Sequence, residues 1–233
     1  MQIEVWSDIV CPFCYIGKRR LETALEHFKH KEQVKIIYRS FELNPHASTT
    51  NNQIYAEALA EKYQVSIEQG QNMCDSVAVQ AQEDGLTYHF ETMIPRNTFD
   101  AHRLIHFAAD QGKMDEMSER LFYAFFTETK NIADHDTLVQ IATELGLDGA
   151  DVLNMLTTDA YTKEVRNDEL RGSELGINGV PYFIFDRKYA ISGAQPVHVF
   201  EEVLAKVWKE SSGLTNIASG GDQCTTDSCD VSS

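Results

Sequence analysis

Two cysteines three residues apart, Cys11 and Cys14, flank Pro12 and Phe13 near the start of a 233-residue chain. The C-x-x-C spacing suits dithiol–disulfide exchange, in which one thiolate attacks and the other resolves the mixed disulfide. A helix starting at this turn would set Cys11 at its amino terminus, where unpaired N–H groups and the macrodipole favour a thiolate. Cys14 would then lie one turn on, within disulfide reach but less exposed, so Cys11 is expected to attack and Cys14 to resolve. Pro12 and Phe13 add no charge to this arrangement. C-x-x-C is also half of a zinc site, but no second pair lies nearby, and no metal is expected.

The remaining candidates carry weaker signals. Cys74 sits among Met73, Val77 and Ala81 and reads as a buried, inert thiol. His102 and His106 fall at i, i+4 without a third ligand, which favours packing or a surface role. His46 follows Asn44-Pro45 in a loop, where its orientation is open. Cys224 and Cys229 form a second close pair in a tail whose composition turns to Ser, Gly, Thr and Asp after Ser211 and reads as flexible.

The elements that must position these groups are legible in outline. Ile3 to Trp6 reads as a strand, Cys11 to about residue 30 as a helix opened by Pro12 at its first position, and Val34 to Phe41 as a second strand. That second strand is apolar on both faces, as expected of a central strand under helices. The three make a βαβ unit. Residues 51–176 read as helical almost throughout, with a capping box at Ser66–Gln69, a cap at Asn97 or Thr98, and glycines 85, 112 and 146 at helix ends. Helices are expected over Glu116 to Thr129, from Asp134, from Asp148, and from Asp159 to Leu175. Tyr182–Phe185 and Tyr189–Ser192 read as a hairpin, followed by an amphipathic helix through Trp208.

Composition narrows the partners. Thirty-six acidic against twenty basic side chains give a formal charge of -16, with no Lys/Arg-rich run. Nucleic acid and anionic membranes are therefore poor partners. The segment MQIEVWSDIV has no basic-then-apolar leader pattern, no transmembrane-length apolar stretch follows, and the expected compartment is the cytoplasm. Few cysteines, odd in number at five, fit redox chemistry there better than structural bridging.

Cys11-Pro12-Phe13-Cys14-Tyr15-Ile16-Gly17-Lys18 and Gly179-Val180-Pro181-Tyr182-Phe183 resemble the DsbA-like group of the thioredoxin superfamily, in particular its FrnE branch. Phe41-Glu42-Leu43-Asn44-Pro45, residues Asn97 to Arg103 and Ser192 to Pro196 extend the likeness over nearly the whole chain. The resemblance implies an α/β thioredoxin fold formed by residues 1–50 and 177–210, a helical insertion over 51–176, and a tail over 211–233. It also implies that Pro181 is cis and faces the cysteines, with Val180 offering backbone groups to an extended substrate segment. The implied activity is thiol–disulfide oxidoreduction or isomerisation on protein disulfides. No cofactor is needed beyond the redox dithiol, with glutathione or a thioredoxin-type protein as candidate reductants. The alternative is a glutathione-dependent isomerase or transferase akin to 2-hydroxychromene-2-carboxylate isomerase and the kappa-class enzymes. Those usually carry Ser at the nucleophile, and the intact C-x-x-C counts against them.

Two consequences concern proton and electron traffic. Many thioredoxin-fold enzymes hold a buried acid six residues before the first cysteine, and here that residue is Val5. Asp8, a water or a side chain of the helical block must then accept the Cys14 proton. The last helix of the fold starts near the site and carries the chain ~21 Å away over Val197 to Glu210. The thirteen residues Ser211 to Gln223 span ~20 Å as a flexible coil, so Cys224 and Cys229 have the reach to act as a redox relay.

Overall fold

Strand β1 (Gln2–Ser7) is buried along nearly its whole length, so its alternating side chains must find cover on both faces. The computed structural model, which describes residues 1–211, supplies that cover in α/β fashion. Helix α1 (Pro12–Glu26) leads to β2 (Lys35–Ser40), then come seven helices, and β3 (Tyr182–Phe185), β4 (Tyr189–Ser192) and α9 (Val197–Ser211) complete the described chain. The intervening helices are α2 (Tyr55–Tyr63), α3 (Ile67–Glu83), α4 (Phe99–Asp110), α5 (Met114–Phe126), α6 (His135–Glu144), α7 (Gly149–Thr157) and α8 (Thr162–Glu174). The sheet order is β2-β1-β3-β4, with β1 parallel to β2 and antiparallel to β3.

Side-chain alternation decides which helix covers which face. Val5 pairs with Tyr38 and Phe183, and Phe183 packs edge-to-face on Phe200 of α9 with ring centres 4.9 Å apart. Gly17 of α1 meets the same Phe183 ring, so α1 and α9 lie side by side on this face. On the other face Trp6 donates its indole N–H to the Asp168 carbonyl at 2.9 Å, beside Gly172 of α8. Glu4 is buried there and accepts from Arg39 at 2.7 Å and Arg171 at 3.0 Å, while Arg39 also donates to Asp168 at 2.9 Å. Arg39 therefore neutralises two buried carboxylates that would otherwise be costly.

The structure corrects the reading of β2, which is an edge strand and not a central one. Its apolar faces are explained by α5 and α8 packing on it. Its outward N–H groups are satisfied as well: Tyr38 donates to the Met114 sulfur at 3.3 Å and Ser40 to the Asp168 carboxylate at 3.1 Å. An exposed edge is thereby closed to strand pairing. Helix boundaries shift by one to three residues, to Met114–Phe126 and Thr162–Glu174. The capping box forms at Ser66–Gln69, and Asn97 accepts from the Phe99 N–H at 2.9 Å. Residues 86–98 are irregular, and carry Tyr88, Phe90 and Met93 into the core.

Candidate active site

Cys11 caps α1 in extended conformation, with Pro12 at the first helical position, where its missing N–H costs nothing. The turn before it is closed by the Cys11 N–H donating to the Asp8 carbonyl at 3.0 Å. Cys14 follows inside the first helical turn, and both are thiols in this structure. The Cys11 sulfur donates to the Val180 carbonyl, 3.6 Å away, and the Val180–Pro181 bond is cis. Pro181 is tied on its far side by the Gly193 N–H, which donates to its carbonyl at 2.8 Å. The structure thus brings together the four residues Cys11, Cys14, Val180 and Pro181.

Exposure differs from expectation. Cys11 is 4% exposed and Cys14 2%, so the attacking thiol is almost as covered as the resolving one. The cover comes from the helical block: Tyr55 donates its hydroxyl to the Val10 carbonyl at 3.0 Å and Tyr88 to the Pro12 carbonyl at 2.8 Å. The asymmetry lies instead in the surroundings of Cys14. Burial raises its pKa well above the ordinary thiol value, and contact with Cys11 adds to this, against weaker help from the Ser7 hydroxyl and the Asp8 backbone N–H.

Helix α1 is fixed by charge as well as packing. Lys18 is 2% exposed and meets Glu22, Asp115 at 3.2 Å and Glu119 at 3.1 Å. Burial would lower its pKa, but these carboxylates and Tyr38 hold it above the ordinary lysine value. Tyr15 donates to Glu119 at 2.6 Å and stacks on Phe122 with ring centres 5.0 Å apart. The turn carrying both thiols is therefore anchored to α5.

The other sequence candidates separate clearly. Cys74 is buried in the core, where desolvation pushes its thiol up to about 11. His106 lies against Ser40 and Asp168 at 3.1 and 3.2 Å, a packing role. His102 is buried and faces the Asp8 carboxylate at 3.3 Å, and Asp8 also accepts from the Leu43 N–H at 2.7 Å. His46 lines a groove of about 600 Å³ with Asp8, Val10, Leu43, Tyr55 and Arg96, directly beside the Cys11 turn. The tail pair Cys224 and Cys229 lies outside the described residues. Among the described residues no group of three or more His, Cys, Asp and Glu is placed to hold a metal ion. No helix among them is long and apolar enough to cross a membrane. Tyr88 and the Asp8–His102 contact escaped the sequence reading, since their partners are 76 and 94 residues away.

Comparison with known proteins agrees with this architecture. Residues 2–205 match the model of the DSBA-like thioredoxin domain. The Bacillus subtilis protein YwbO is 32% identical over 212 residues, covering 90% of this chain and 98% of its own. Among solved structures, the probable DsbA oxidoreductase SCO1869 from Streptomyces coelicolor is 38% identical and superposes with a TM-score of 0.87 over 100% of both chains. The cytosolic disulfide reductase DsbM from Pseudomonas aeruginosa, 14% identical, shares the fold with a TM-score of 0.64 over 90% of this chain and 100% of its own. By sequence and by structure, the chain belongs to the DSBA-like thioredoxin domain family.

Proposed function

We propose that the protein is a thiol–disulfide oxidoreductase or isomerase acting on protein disulfides through a Cys11 mixed disulfide resolved by Cys14. The observation that carries this reading is the Cys11 sulfur at the α1 amino terminus, 3.6 Å from the Val180 carbonyl, with Cys14 buried one turn below. Val180 would pair with an extended substrate segment, and the groove past Val10 and His46 would hold its flank. No cofactor beyond the dithiol is required, with glutathione or a thioredoxin-type protein as recycling partner. The separated motifs support placement in the FrnE branch, and the cytoplasm is the compartment that a low-cysteine dithiol enzyme suits. In the glutathione-dependent isomerase alternative, Cys14 would have no task.

The direct test is substitution at the pair. Cys11→Ser is expected to abolish reduction of insulin-type disulfides, and Cys14→Ser to accumulate covalent substrate adducts. Full activity in Cys11→Ser would overturn the reading. The reduction potential of the Cys11–Cys14 pair decides the net direction, ~30 mV corresponding to about 1.4 kcal/mol. We further propose that Cys224 and Cys229 exchange with this pair, and unchanged turnover after replacing both with Ser counts against it.

A further inference from the structure

Resolution requires Cys14 to give up a proton in a buried place, and the acid that many thioredoxin folds keep six residues before the first cysteine is replaced by Val5, itself 2% exposed. The structure offers another set of groups at the end of β1 and the turn that follows it. The Asp8 carbonyl holds the Cys11 N–H at 3.0 Å and the Cys11 carbonyl holds the Cys14 N–H at 3.0 Å, and the Ser7 hydroxyl and Asp8 backbone favour the Cys14 thiolate. Ser7 and His102 line one small cavity of about 10 Å³, at the lower limit for a single water, with Ile9, Ile105 and Phe122 among its walls. Asp8, 1% exposed, holds His102 at 3.3 Å.

The next ionisable group within electrostatic range of His102 is Glu42, whose carboxyl responds to the imidazole charge. Its side chain is fully covered, one oxygen has no hydrogen-bond partner, and the other meets Arg166, whose side chain is 47% exposed. A buried unpaired carboxylate oxygen costs stability and calls for an explanation. Burial, outweighing Arg166, also raises the Glu42 carboxyl above its ordinary value.

We propose that Asp8 and His102 form the buried pair that takes up the Cys14 proton by way of Ser7, and that Glu42 at the Arg166 surface connects this pair to solvent. The inference rests on the resolving role proposed above for Cys14. The Cys14 S–H proton passes to the pair, the Cys14 sulfur bonds to the Cys11 sulfur, and the Cys11–substrate S–S bond breaks. The departing sulfur carries away the electron pair and is protonated on release. The dithiol is oxidised and the substrate disulfide reduced by two electrons, and the reverse course oxidises a substrate dithiol.

On the groove side Asp8 shares a lining with His46, Tyr55 and Arg96, whose Nε is buried without a hydrogen-bond partner. Tyr55 of α2 approaches Asp8 from the groove side. Arg39 of β2, at the small cavity, is held by Glu4 and Asp168. His106, one turn along α4, is held by Ser40 and Asp168, and Glu169 of α8 shares Arg166 with Glu42. Asp8, His102 and Glu42 are positioning residues in this scheme, acting on the reacting sulfurs through Ser7.

The test follows the full-length chain, with Cys224 and Cys229 replaced by Ser, as it reacts with the aromatic disulfide 5,5′-dithiobis(2-nitrobenzoate). Attack by Cys11 releases one coloured thiolate, and displacement by Cys14 releases the second, so the two steps are read separately. His102→Gln and Asp8→Asn are expected to slow the second phase by about 100-fold near neutral pH, the lower end of the range for positioned proton transfer. They should also move its pH profile to the alkaline side and leave the first phase unchanged. Glu42→Gln should slow the second phase less, in the same sense. An unchanged second phase, or equal slowing of both, overturns the proposal. Where a variant does not fold, the chain with Asp8 and His102 intact still decides. Its second phase must level off below the titration of the Cys14 thiol measured in Cys11→Ser, and a rate that climbs in step with that titration overturns the proposal. Because the dye needs no protein substrate, a chain that turns over the dye but no protein disulfide refutes the functional reading alone.

Discussion

The Tyr88 hydroxyl donates to the Pro12 carbonyl at 2.8 Å, joining the irregular segment before α4 to the turn between Cys11 and Cys14. Tyr55 does the same from α2 to the Val10 carbonyl at 3.0 Å, so the carbonyls on both sides of Cys11 are held by phenols of the helical block. A thiol that is 4% exposed must be uncovered before a protein disulfide reaches it, and these two bonds oppose the uncovering.

Removing either hydroxyl should therefore ease access to Cys11. A net hydrogen bond contributes about 1 kcal/mol, roughly a fivefold change in an opening equilibrium. Tyr55→Phe and Tyr88→Phe are each expected to raise the rate of Cys11 alkylation by up to about fivefold, with a small loss of thermal stability. Alkylation rates equal to those of the parent chain would show that the cover opens elsewhere.

Val180 touches Cys11 through its backbone carbonyl, which predicts tolerance of side-chain change, and a substrate strand paired at Val180 would need its N–H as donor. Val180→Thr should leave kcat/KM for a protein disulfide nearly unchanged, whereas Val180→Pro should lower it at least tenfold by removing a donor for an incoming strand. Equal losses in the two variants would mean that the side chain is what substrates meet. Circular dichroism separates this effect from misfolding.

Gly17 lies where α1 crosses the start of β3. A Cβ there would stand 3.0 Å from Phe183 Cζ and 3.1 Å from Pro181 Cγ, and Phe183 is fully buried. Alanine would gain about 1 kcal/mol in helix propensity, but overpacking a closed core costs about 1–3 kcal/mol. The crowding wins because neither neighbour is a flexible side chain. Gly17→Ala should lower the melting temperature by roughly 2–6 °C for a chain of this size. A rise in melting temperature would refute the close-packing argument.

How much of this was legible in the sequence follows from the range of each interaction. The Cys11–Cys14 turn, the β3–β4 hairpin and the Ser66 capping box depend on residues within a few positions of one another, and their spacing announces them. Edge placement of β2 depends on Met114 and Asp168, which lie 76 and 128 residues from the groups they satisfy. Covering of Cys11 likewise depends on Tyr55 and Tyr88, and the partner of Asp8 is a histidine 94 residues on, read from the sequence as a packing or surface residue. Two apolar faces on a strand signal helices above and below, and say nothing of which strand lies beside it.

The anchor between α1 and α5 should impose an acid limit on stability. Glu119 is desolvated, which alone would raise its pKa, but Lys18, the Tyr15 hydroxyl and Arg19 outweigh this and hold the carboxyl below its ordinary value of 4.5. A carboxylate depressed in the folded state contributes stability that is complete above the unfolded value and lost as pH falls through the folded one. Glu119→Gln is therefore expected to cost about 1 kcal/mol near neutral pH, discounted because Glu119 is 33% exposed. The gap between parent and variant melting temperatures should persist down to about pH 5 and close as the pH drops below 4. A gap that stays constant into acid would assign the loss to packing around Tyr15 and remove charge from the account of how α1 is held. A gap that closes would show that the helix bearing both thiols is fixed in part by an ion cluster reaching across from the helical block.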